Sequence, residues 1–212
     1  MRLRNVKNKE TIMSNSSYLI HNPFDYRGKW KDLFSNDAPI FIEIGMGKGQ
    51  FIIENAIKYP DINFIGIEKY DSVIVRALQK IPEGLNNLFV IRADALDIDQ
   101  IFHSEVDKIY LNFSDPWPKN RHHLRRLSSS VFLEKYDSIF RLKKEIEMRT
   151  DNADLFCYSL VSFSQHGYIF QKISFDFHKE EDSVITTEYE DRFMEQGCPI
   201  YYVHCSSDKL IL

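Results

Sequence analysis

The stretch IFIEIGMGKG at residues 40–49 is an apolar run that ends in three alternating glycines. A short apolar run of this kind is typical of a buried strand in a parallel sheet. Gly45, Gly47 and Gly49 allow a sharp turn and a close approach of the backbone to a ligand. Apolar residues then recur on one helical face through residues 51–57. The stretch therefore predicts a strand, a glycine turn and a helix.

Further strands and helices continue this pattern along the chain. Four more strands are predicted from short apolar runs, at residues 63–67, 88–91, 109–113 and 145–149. Amphipathic segments follow most of them, which indicates an α/β fold with a mostly parallel sheet and helices on both faces. Residues 168–177 and 200–204 predict two late strands with no long helix between them, so we expect an antiparallel pair at the C-terminal edge. Ligands of such sheets bind at the carboxyl ends of the strands.

Composition divides the chain into two parts. Residues 1–39 are polar, and we predict an irregular basic arm that is packed on the core or flexible beside it. Residues 40–212 carry the dense strand and helix pattern and form the main domain. No Gly/Ser-rich or Pro-rich linker divides that domain further.

Charge and cysteine content exclude several classes of protein. The 27 basic and 31 acidic residues give a net charge of −4, which excludes a uniformly basic nucleic-acid binder but allows a local basic patch. Cys157, Cys198 and Cys205 form no CxxC pair, which argues against a disulfide framework or a zinc site and suits a reducing compartment. No apolar run has the length of a signal peptide or a membrane span, so we expect a cytoplasmic protein with no membrane contact.

Three carboxylates stand at the ends of successive predicted strands. Glu68 follows Gly49 by 19 residues, where a carboxylate can accept hydrogen bonds from both hydroxyls of an adenosine ribose. Asp94 lies at the same sheet edge and can meet the adenine amino group, and Glu43 faces the position of an amino acid moiety. Each carboxylate alone also fits a solvated strand end or a helix cap. Together with a glycine turn that lacks a phosphate site, they favour S-adenosylmethionine over NAD or ATP.

The stretch NFSDPWPK at residues 112–119 is the most specific part of the sequence. Two prolines stiffen a loop at the end of a strand, and Asp115 lies where the reactive group of the cofactor is expected. The Trp117 ring can stack on a planar base while a carboxylate accepts from its N–H edge. The alternative is a rigid turn with a buried tryptophan.

A concentrated basic cluster follows in KNRHHLRR at residues 119–126. It contains four fixed positive charges and no acid, so we predict an anion site for the phosphates of RNA. A solvated charged face is the alternative. The adjacent histidines point apart and have no third ligand near them, so we expect no metal.

Two later polar segments have open roles. Asp151 follows the strand at 145–149 and can cap the next helix or face the substrate. Residues 187–190, TEYE, lie between the two late strands and can reach over the pocket or form an exposed loop.

Together these motifs resemble those of bacterial tRNA (guanine-N7)-methyltransferases, from Arg2 to about Tyr202. The resemblance implies a Rossmann-like class I methyltransferase domain with S-adenosylmethionine as donor, and transfer to N7 of a guanine in the variable loop of tRNA. It makes Asp115 catalytic. The cofactor-binding residues that it implies, with the glycine turn, are Glu43, Gly45, Gly47, Gly49, Glu68, Asp94 and Asp115. The substrate-binding residues that it implies are Lys119, Asp151, Thr187, Glu188, Tyr189 and Glu190, beside an RNA-binding patch of Arg121, His122, Arg125 and Arg126.

Two other functions are compatible with the residues. One is a methyltransferase that acts on an exocyclic amino group, since Asp-Pro-aromatic loops also serve that chemistry. The other is a non-catalytic RNA-binding protein of the same fold, although an intact cofactor pocket argues against it. For the oligomeric state, the sequence is compatible with a monomer or a homodimer.

Overall fold

One sheet organises the computed structural model of the chain, which describes residues 8–181 and 184–208. Its eight described strands are β1 (Leu19–Ile20), β2 (Ile40–Ile44), β3 (Asn63–Glu68), β4 (Leu88–Arg92), β5 (Lys108–Asn112), β6 (Lys143–Thr150), β7 (Ile169–Ser174) and β8 (Tyr201–Asp208). Their spatial order is β1-β4-β3-β2-β5-β6-β8-β7. The first six strands pair in parallel, and β8 pairs antiparallel with both β6 and β7. The predicted sheet and its antiparallel C-terminal pair are confirmed.

Helices cover both faces of this sheet. In the described residues they are α1 (Lys9–Asn15), α2 (Trp30–Phe34), α3 (Gln50–Lys58), α4 (Asp71–Leu78), α5 (Ile98–Ile101), α6 (Ser130–Ile139), α7 (Ala153–Gln165), α8 (Phe177–Glu180) and α9 (Glu188–Glu195). Two buried clusters result, because successive side chains of a strand point to opposite faces. Ile65 and Ile67 of β3 pack into the larger cluster with α5, α6 and α7, whereas Phe64 packs into the smaller one with α3 and α4. Among the described residues, none of these helices has the length and apolar composition needed to cross a membrane.

The described part of residues 1–39 is more regular than the sequence predicts. It contains α1, β1 and α2, and β1 extends the sheet by pairing in parallel with β4. The buried Glu105 carboxylate accepts backbone hydrogen bonds from Gly28 and Trp30 at 2.7 and 3.0 Å, which ties this segment to the core. The prediction of an irregular segment is therefore wrong for residues 9–34. A two-residue strand and such short helices are too short to show a periodic pattern of apolar residues in the sequence. Residues 1–7, with the first basic side chains of the predicted arm, lie outside the described residues.

The direction of strand addition reverses at β2. This strand pairs with β3 on one side and β5 on the other, so the chain leaves the two neighbouring strand ends in different directions. A crevice opens at such a point in parallel sheets and is the usual place for a ligand. The reversal places the glycine turn after β2 beside the 112–119 loop after β5.

Candidate active site

The glycine turn connects β2 to α3 in a conformation that disfavours side chains. Gly45 and Gly47 have φ values of 82° and 58°, in the left-handed region. The backbone N–H of Gly45 donates to the Ile67 carbonyl at 2.8 Å, which ties the turn to the end of β3. A Cβ built on Gly45 or Gly47 would meet no described atom within 4 Å, so open space adjoins the backbone here. The turn can therefore approach a ligand closely.

A buried acid lies beneath the turn. Glu43 is 1% exposed, and its Oε1 accepts a hydrogen bond from Asn112 Nδ2 at 2.9 Å. Its Oε2 and the Asn112 Oδ1 are buried with no hydrogen-bond partner among the described residues. Burial raises the pKa of Glu43 to about 7, since water no longer stabilises the charged form. Two unpaired acceptors in one place fit a cationic ligand group such as an ammonium.

These residues line a cleft of about 350 Å³, which we call the glycine-turn cleft. Its walls come from the turn, the end of β5, and the start of α9. They include Glu43, Gly45, Met46, Gly47, Lys48, Val73, Asn112, Phe113, Thr187, Glu188, Tyr189 and Arg192. Asn112 was absent from the predicted site. Its signal was a lone amide at the end of an otherwise apolar strand.

Glu68 closes β3 beside this cleft. Its Oε2 accepts from the backbone N–H of Gly47 at 3.2 Å, and its Oε1 accepts from those of Lys69 and Tyr70 at 2.8 and 3.0 Å. Burial raises the pKa of Glu68, and the nearby Asp115 carboxylate adds to this effect. The structure therefore brings Glu68, Gly47 and Asp115 together, as the sequence predicts.

Asp94 lines a second cleft, of about 580 Å³, with Tyr70, Arg92 and seven other residues. One carboxylate oxygen accepts from the Leu96 N–H at 3.0 Å, and the other pairs with Lys69 Nζ at 2.6 Å. The hydrogen bond from Lys69 holds the pKa of Asp94 below its usual value. Asp94 thus caps the short helix at Ala95–Asp97, which was the structural alternative. Because Glu68 bonds Gly47 on one side and Lys69 on the other, it lies between the two clefts.

Asp115 lies in a strained loop at the rim. It is exposed and forms no hydrogen bond or ion pair with another described residue. Phe113 and Trp117 on either side have φ values of 50° and 42°, which cost about 1–3 kcal/mol each for bulky residues. The Trp117 ring is only half-buried, but the Arg125 guanidinium lies 5.0 Å from its centroid and the His122 ring packs on it at 5.8 Å. These two contacts leave less of the ring for base stacking than the sequence suggests.

The basic cluster separates into exposed and buried side chains. Lys119, Arg121 and Arg125 are exposed, and none forms an ion pair with a described acid. A short helix at Asn120–Arg125 presents two of them. Arg126 differs, because it is only 7% exposed and donates to the carbonyls of Pro116 and Trp117. The predicted RNA-binding patch therefore has exposed charge at Arg121 and Arg125, whereas the Arg126 charge is buried in the protein.

The predicted substrate segment at residues 187–190 begins helix α9. Thr187 and Glu190 form a reciprocal cap, with the Glu190 N–H donating to Thr187 Oγ1 and the Thr187 N–H to Glu190 Oε2. Glu188 pairs with Lys80 of the segment after α4. Tyr189 is 45% exposed and packs on Phe113 at 5.1 Å. This segment is a wall of the glycine-turn cleft and not an exposed loop.

Glu190 itself is fully buried in an ionic network. Both of its carboxylate oxygens lie 3.3 Å from Arg149 Nη1, and His178 Nε2 lies 2.8 Å from one of them. The Arg149 guanidinium also lies 5.1 and 4.9 Å from the ring centroids of Phe51 and Phe177. This network fixes α9 to the carboxyl end of β6. The substrate role of Glu190 stays a prediction, and the structure gives its carboxylate internal partners.

Asp151 lies near the same wall. Burial raises the pKa of Tyr189, and the Asp151 carboxylate adds to this effect, which places the two side chains close to each other. Asn152 and not Asp151 caps α7, by accepting from the Leu155 N–H at 2.8 Å. Asp151 is thus left to face the wall that Tyr189 forms.

Known proteins are similar to this chain over nearly its whole length. A protein family described as "Putative methyltransferase" matches residues 37–203. The tRNA (guanine-N(7)-)-methyltransferase of Lachnoclostridium phytofermentans is 48% identical over 95% of this chain and 96% of its own. That of Geobacillus sp. (strain WCH70) is 48% identical over 95% of this chain and 93% of its own. The chain belongs to the tRNA (guanine-N7)-methyltransferase family.

Solved structures agree with this family in fold. The 16S rRNA methyltransferase KamB superimposes with a TM-score of 0.65 at 13% identity, over 85% of this chain and 93% of its own. A 16S rRNA (adenine(1408)-N(1))-methyltransferase variant with the cosubstrate SAM, from Catenulisporales acidiphilia, has a TM-score of 0.59 at 13% identity, over 86% and 90%. The fold is that of the Rossmann-like class I methyltransferases that use S-adenosylmethionine.

The residues of both clefts fit the family's cofactor. The unpaired Glu43 Oε2 and Asn112 Oδ1 suit the ammonium of its amino acid part. The open space beside Gly45 and Gly47 leaves room for the part of the cofactor that lies against the backbone of the turn. Glu68 lies between the two clefts and Asp94 lines the second one. Their carboxylate oxygens are acceptors for the hydroxyl and amino groups of the cofactor.

The first prediction concerns the stability cost of Glu43. Its folded pKa of about 7 lies above the usual value, so ligand-free protein loses stability as the pH rises from about 4.5 to 7. Glu43→Gln removes this loss. The free energy of unfolding of the variant minus that of the wild type should be about 3 kcal/mol larger at pH 8 than at pH 4.5. Urea unfolding at both pH values measures this, and equal pH profiles would contradict it.

The second prediction concerns Glu190. Glu190→Ala leaves the Arg149 guanidinium buried without its carboxylate, which should lower the free energy of unfolding by about 3–5 kcal/mol. Glu195→Ala, at an exposed position of the same helix, is the matched control and should change it by less than about 0.5 kcal/mol. Urea unfolding of both variants measures the difference. A Glu190→Ala protein of wild-type stability that no longer binds substrate would show instead that Glu190 acts as a substrate ligand.

Proposed function

We propose that the protein transfers a methyl group from S-adenosylmethionine to N7 of a guanine in the variable loop of tRNA. The near full-length match to relatives named for this reaction supports the target, at 48% identity in the two described above. The observation that carries the proposal in the structure is the setting of Asp115. It is an exposed carboxylate that has no hydrogen-bond or ion-pair partner within residues 8–181 and 184–208, and it lies next to Glu68 at the rim of a cleft that fits the cofactor.

The polar residues and glycines of the two clefts would hold different parts of the cofactor. When bound, S-adenosylmethionine supplies a methyl group that its sulfonium makes electrophilic. Glu43 and Asn112 hold the ammonium, and Gly45, Gly47 and Gly49 shape the turn around the amino acid part. Glu68 would accept from the ribose hydroxyls, and Asp94 would accept from the adenine amino group. Ionised Glu43 is favoured by that ammonium, since an opposite charge lowers a raised carboxyl pKa.

The target atom determines what the protein has to do. Guanine N7 carries a lone pair and no proton, so no side chain is needed as a general base at that atom. The protein positions the base in line with the methyl group, at roughly 3–3.5 Å. Positive charge develops on the purine during transfer, and the Asp115 carboxylate stabilises it while accepting from the N1/N2 edge.

The tRNA binds across the basic cluster and the α9 wall. Arg121, Arg125 and Lys119 offer exposed charge to phosphates, with His122 beside them. Asp151, Thr187, Glu188 and Tyr189 approach the guanine from the α9 side, and the buried Glu190 holds this segment in place. We place the enzyme in the cytoplasm, where bacterial tRNA is modified.

The proposed reaction uses no metal. Among the described residues, Glu145, Glu147 and His204 are the group with metal-ligand spacing. The Lys108 ammonium already lies 2.7 and 2.8 Å from the two carboxylates and occupies the space between them that a metal ion would take. Attack by a lone pair on a sulfonium methyl also needs no Lewis acid.

The test of this function is methyl transfer from labelled S-adenosylmethionine to unmodified bulk tRNA. We expect labelled N7-methylguanosine, and strand breaks in the variable loop after treatment with borohydride and aniline. Label on an exocyclic amino group, which gives no such breaks, would identify the other class of methyltransferase. RNA binding with neither transfer nor cofactor binding would identify a non-catalytic RNA-binding protein.

Asp115→Asn tests the catalytic assignment. The variant keeps the shape of the side chain and removes its charge, so turnover should fall by about a hundredfold or more, and the affinity for cofactor should fall by a much smaller factor. Single-turnover transfer measures the rate of methyl transfer, and equilibrium dialysis measures the affinity for cofactor. Asp154→Asn, at an exposed acid at the start of α7, is the control. Wild-type turnover in Asp115→Asn would refute the role.

A further inference from the structure

The loop that carries Asp115 is held in a conformation that its own residues disfavour. Phe113 and Trp117 both have positive φ values, and aromatic residues adopt them only where the surroundings determine the backbone. Asp115 lies midway between them. Its position therefore depends on whatever fixes the two flanking residues.

Arg126 supplies the contacts that fix the C-terminal half of this loop. Its Nε donates to the Pro116 carbonyl at 2.9 Å and its Nη2 to the Trp117 carbonyl at 3.3 Å. These are the two carbonyls that directly follow Asp115. Pro116 and Pro118 have no N–H to donate, so the loop has few other hydrogen bonds with which to hold its shape.

Arg126 is in turn supported from the core. Its guanidinium lies 4.4 Å from the ring centroid of Tyr158 on α7, within the range of a cation–π contact. Helix α7 is anchored by the buried residues Leu155, Phe156 and Phe163. A continuous series of contacts thus runs from the core, through Tyr158 and Arg126, to the backbone beside Asp115.

The neighbouring arginines have a different environment. Arg121 and Arg125 are exposed and can meet a phosphate without rearrangement. The Arg126 side chain is buried, and it could reach a phosphate only by releasing both loop carbonyls. The geometry that suits a phosphate ligand is therefore absent at Arg126.

We propose that Arg126, supported by Tyr158, is a positioning residue for Asp115 and not a ligand of the tRNA phosphates. The inference rests on the proposed function for its kinetic consequences, but its structural content does not depend on that function. Neither the family motif nor the exposed basic cluster assigns a role to Tyr158.

The salt dependence of tRNA binding separates the two roles of an arginine. Loss of a phosphate ligand reduces the slope of log affinity against log salt by about 1. We expect this reduction in Arg121→Ala, the matched control on the short helix that ends just before Arg126, with its defect mainly in KM. Arg126→Ala should keep the wild-type slope and lower kcat by about a hundredfold, because a small displacement of a catalytic group has that effect.

Tryptophan fluorescence gives a readout that needs neither tRNA nor cofactor. The chain has two tryptophans, and Trp30 is fully buried, so quenching by acrylamide reports mainly on Trp117 in the loop. Arg126→Ala and Tyr158→Leu should both increase quenching. Tyr158→Phe keeps the ring and should retain the wild-type value, as should Arg121→Ala.

The outcomes are distinct. A reduced salt slope in Arg126→Ala, with wild-type kcat and quenching, would overturn the proposal and make Arg126 a phosphate ligand. If Arg126→Ala does not fold, Tyr158→Leu and Arg126→Lys carry the same measurements. If the wild type transfers no methyl group, the proposed function fails, and quenching alone decides whether Arg126 and Tyr158 hold the loop.

Discussion

The reversal of strand order at β2 is the constraint on which the site depends. Because β3 and β5 flank this strand, the chain leaves the sheet in different directions on its two sides and cannot cover the crevice between them. The glycine turn lines one side of that crevice and the loop with Asp115 lies on the other. Helix α9 closes the remaining side. Glu43, the glycine turn, Asn112 and Asp115 all lie within one turn or loop of this reversal.

β2 and β5 are apolar along most of their length, and they share with β6 a buried polar side chain at this edge. β2 has Glu43 next to its end, β5 ends in Asn112, and β6 carries Arg149 before Thr150. Each of these side chains is buried, although burial of a charge without a partner is costly. Arg149 is compensated within the protein by Glu190, whereas Glu43 and Asn112 retain unpaired atoms. The unpaired atoms of Glu43 and Asn112 are available to a ligand. The Arg149–Glu190 pair instead stabilises the α9 wall of the cleft.

Much of this arrangement could be predicted from the sequence, since it depends on local patterns. The apolar run of β2 predicts its bounds, and the position of Glu68 and Asp115 after predicted parallel strands places both at one edge of the sheet. Burial of charged side chains could not be predicted in this way. Arg126 and Arg125 are adjacent and chemically identical, and only tertiary packing against Pro116, Trp117 and Tyr158 separates a buried cation from an exposed one. The burial of Glu190 could not be predicted for the same reason, because its partner Arg149 is distant in sequence. The short elements before β2 were missed because two to seven residues carry too little periodicity.

The position of β8 between β6 and β7 has a consequence for biosynthesis. As the ribosome delivers the chain, each of the five parallel strands from β2 to β6 can add to a free edge of the growing sheet, with β5 adding to the free edge of β2. Strand β7 has no neighbour until β8 has been made, and β8 ends 34 residues after β7 ends. At roughly 5–20 residues per second, β7 therefore waits about two to seven seconds for its partner strand. Helix α9 is translated in the same interval, so the nascent protein acquires the wall of its cleft and the protection of its sheet edge in one late step.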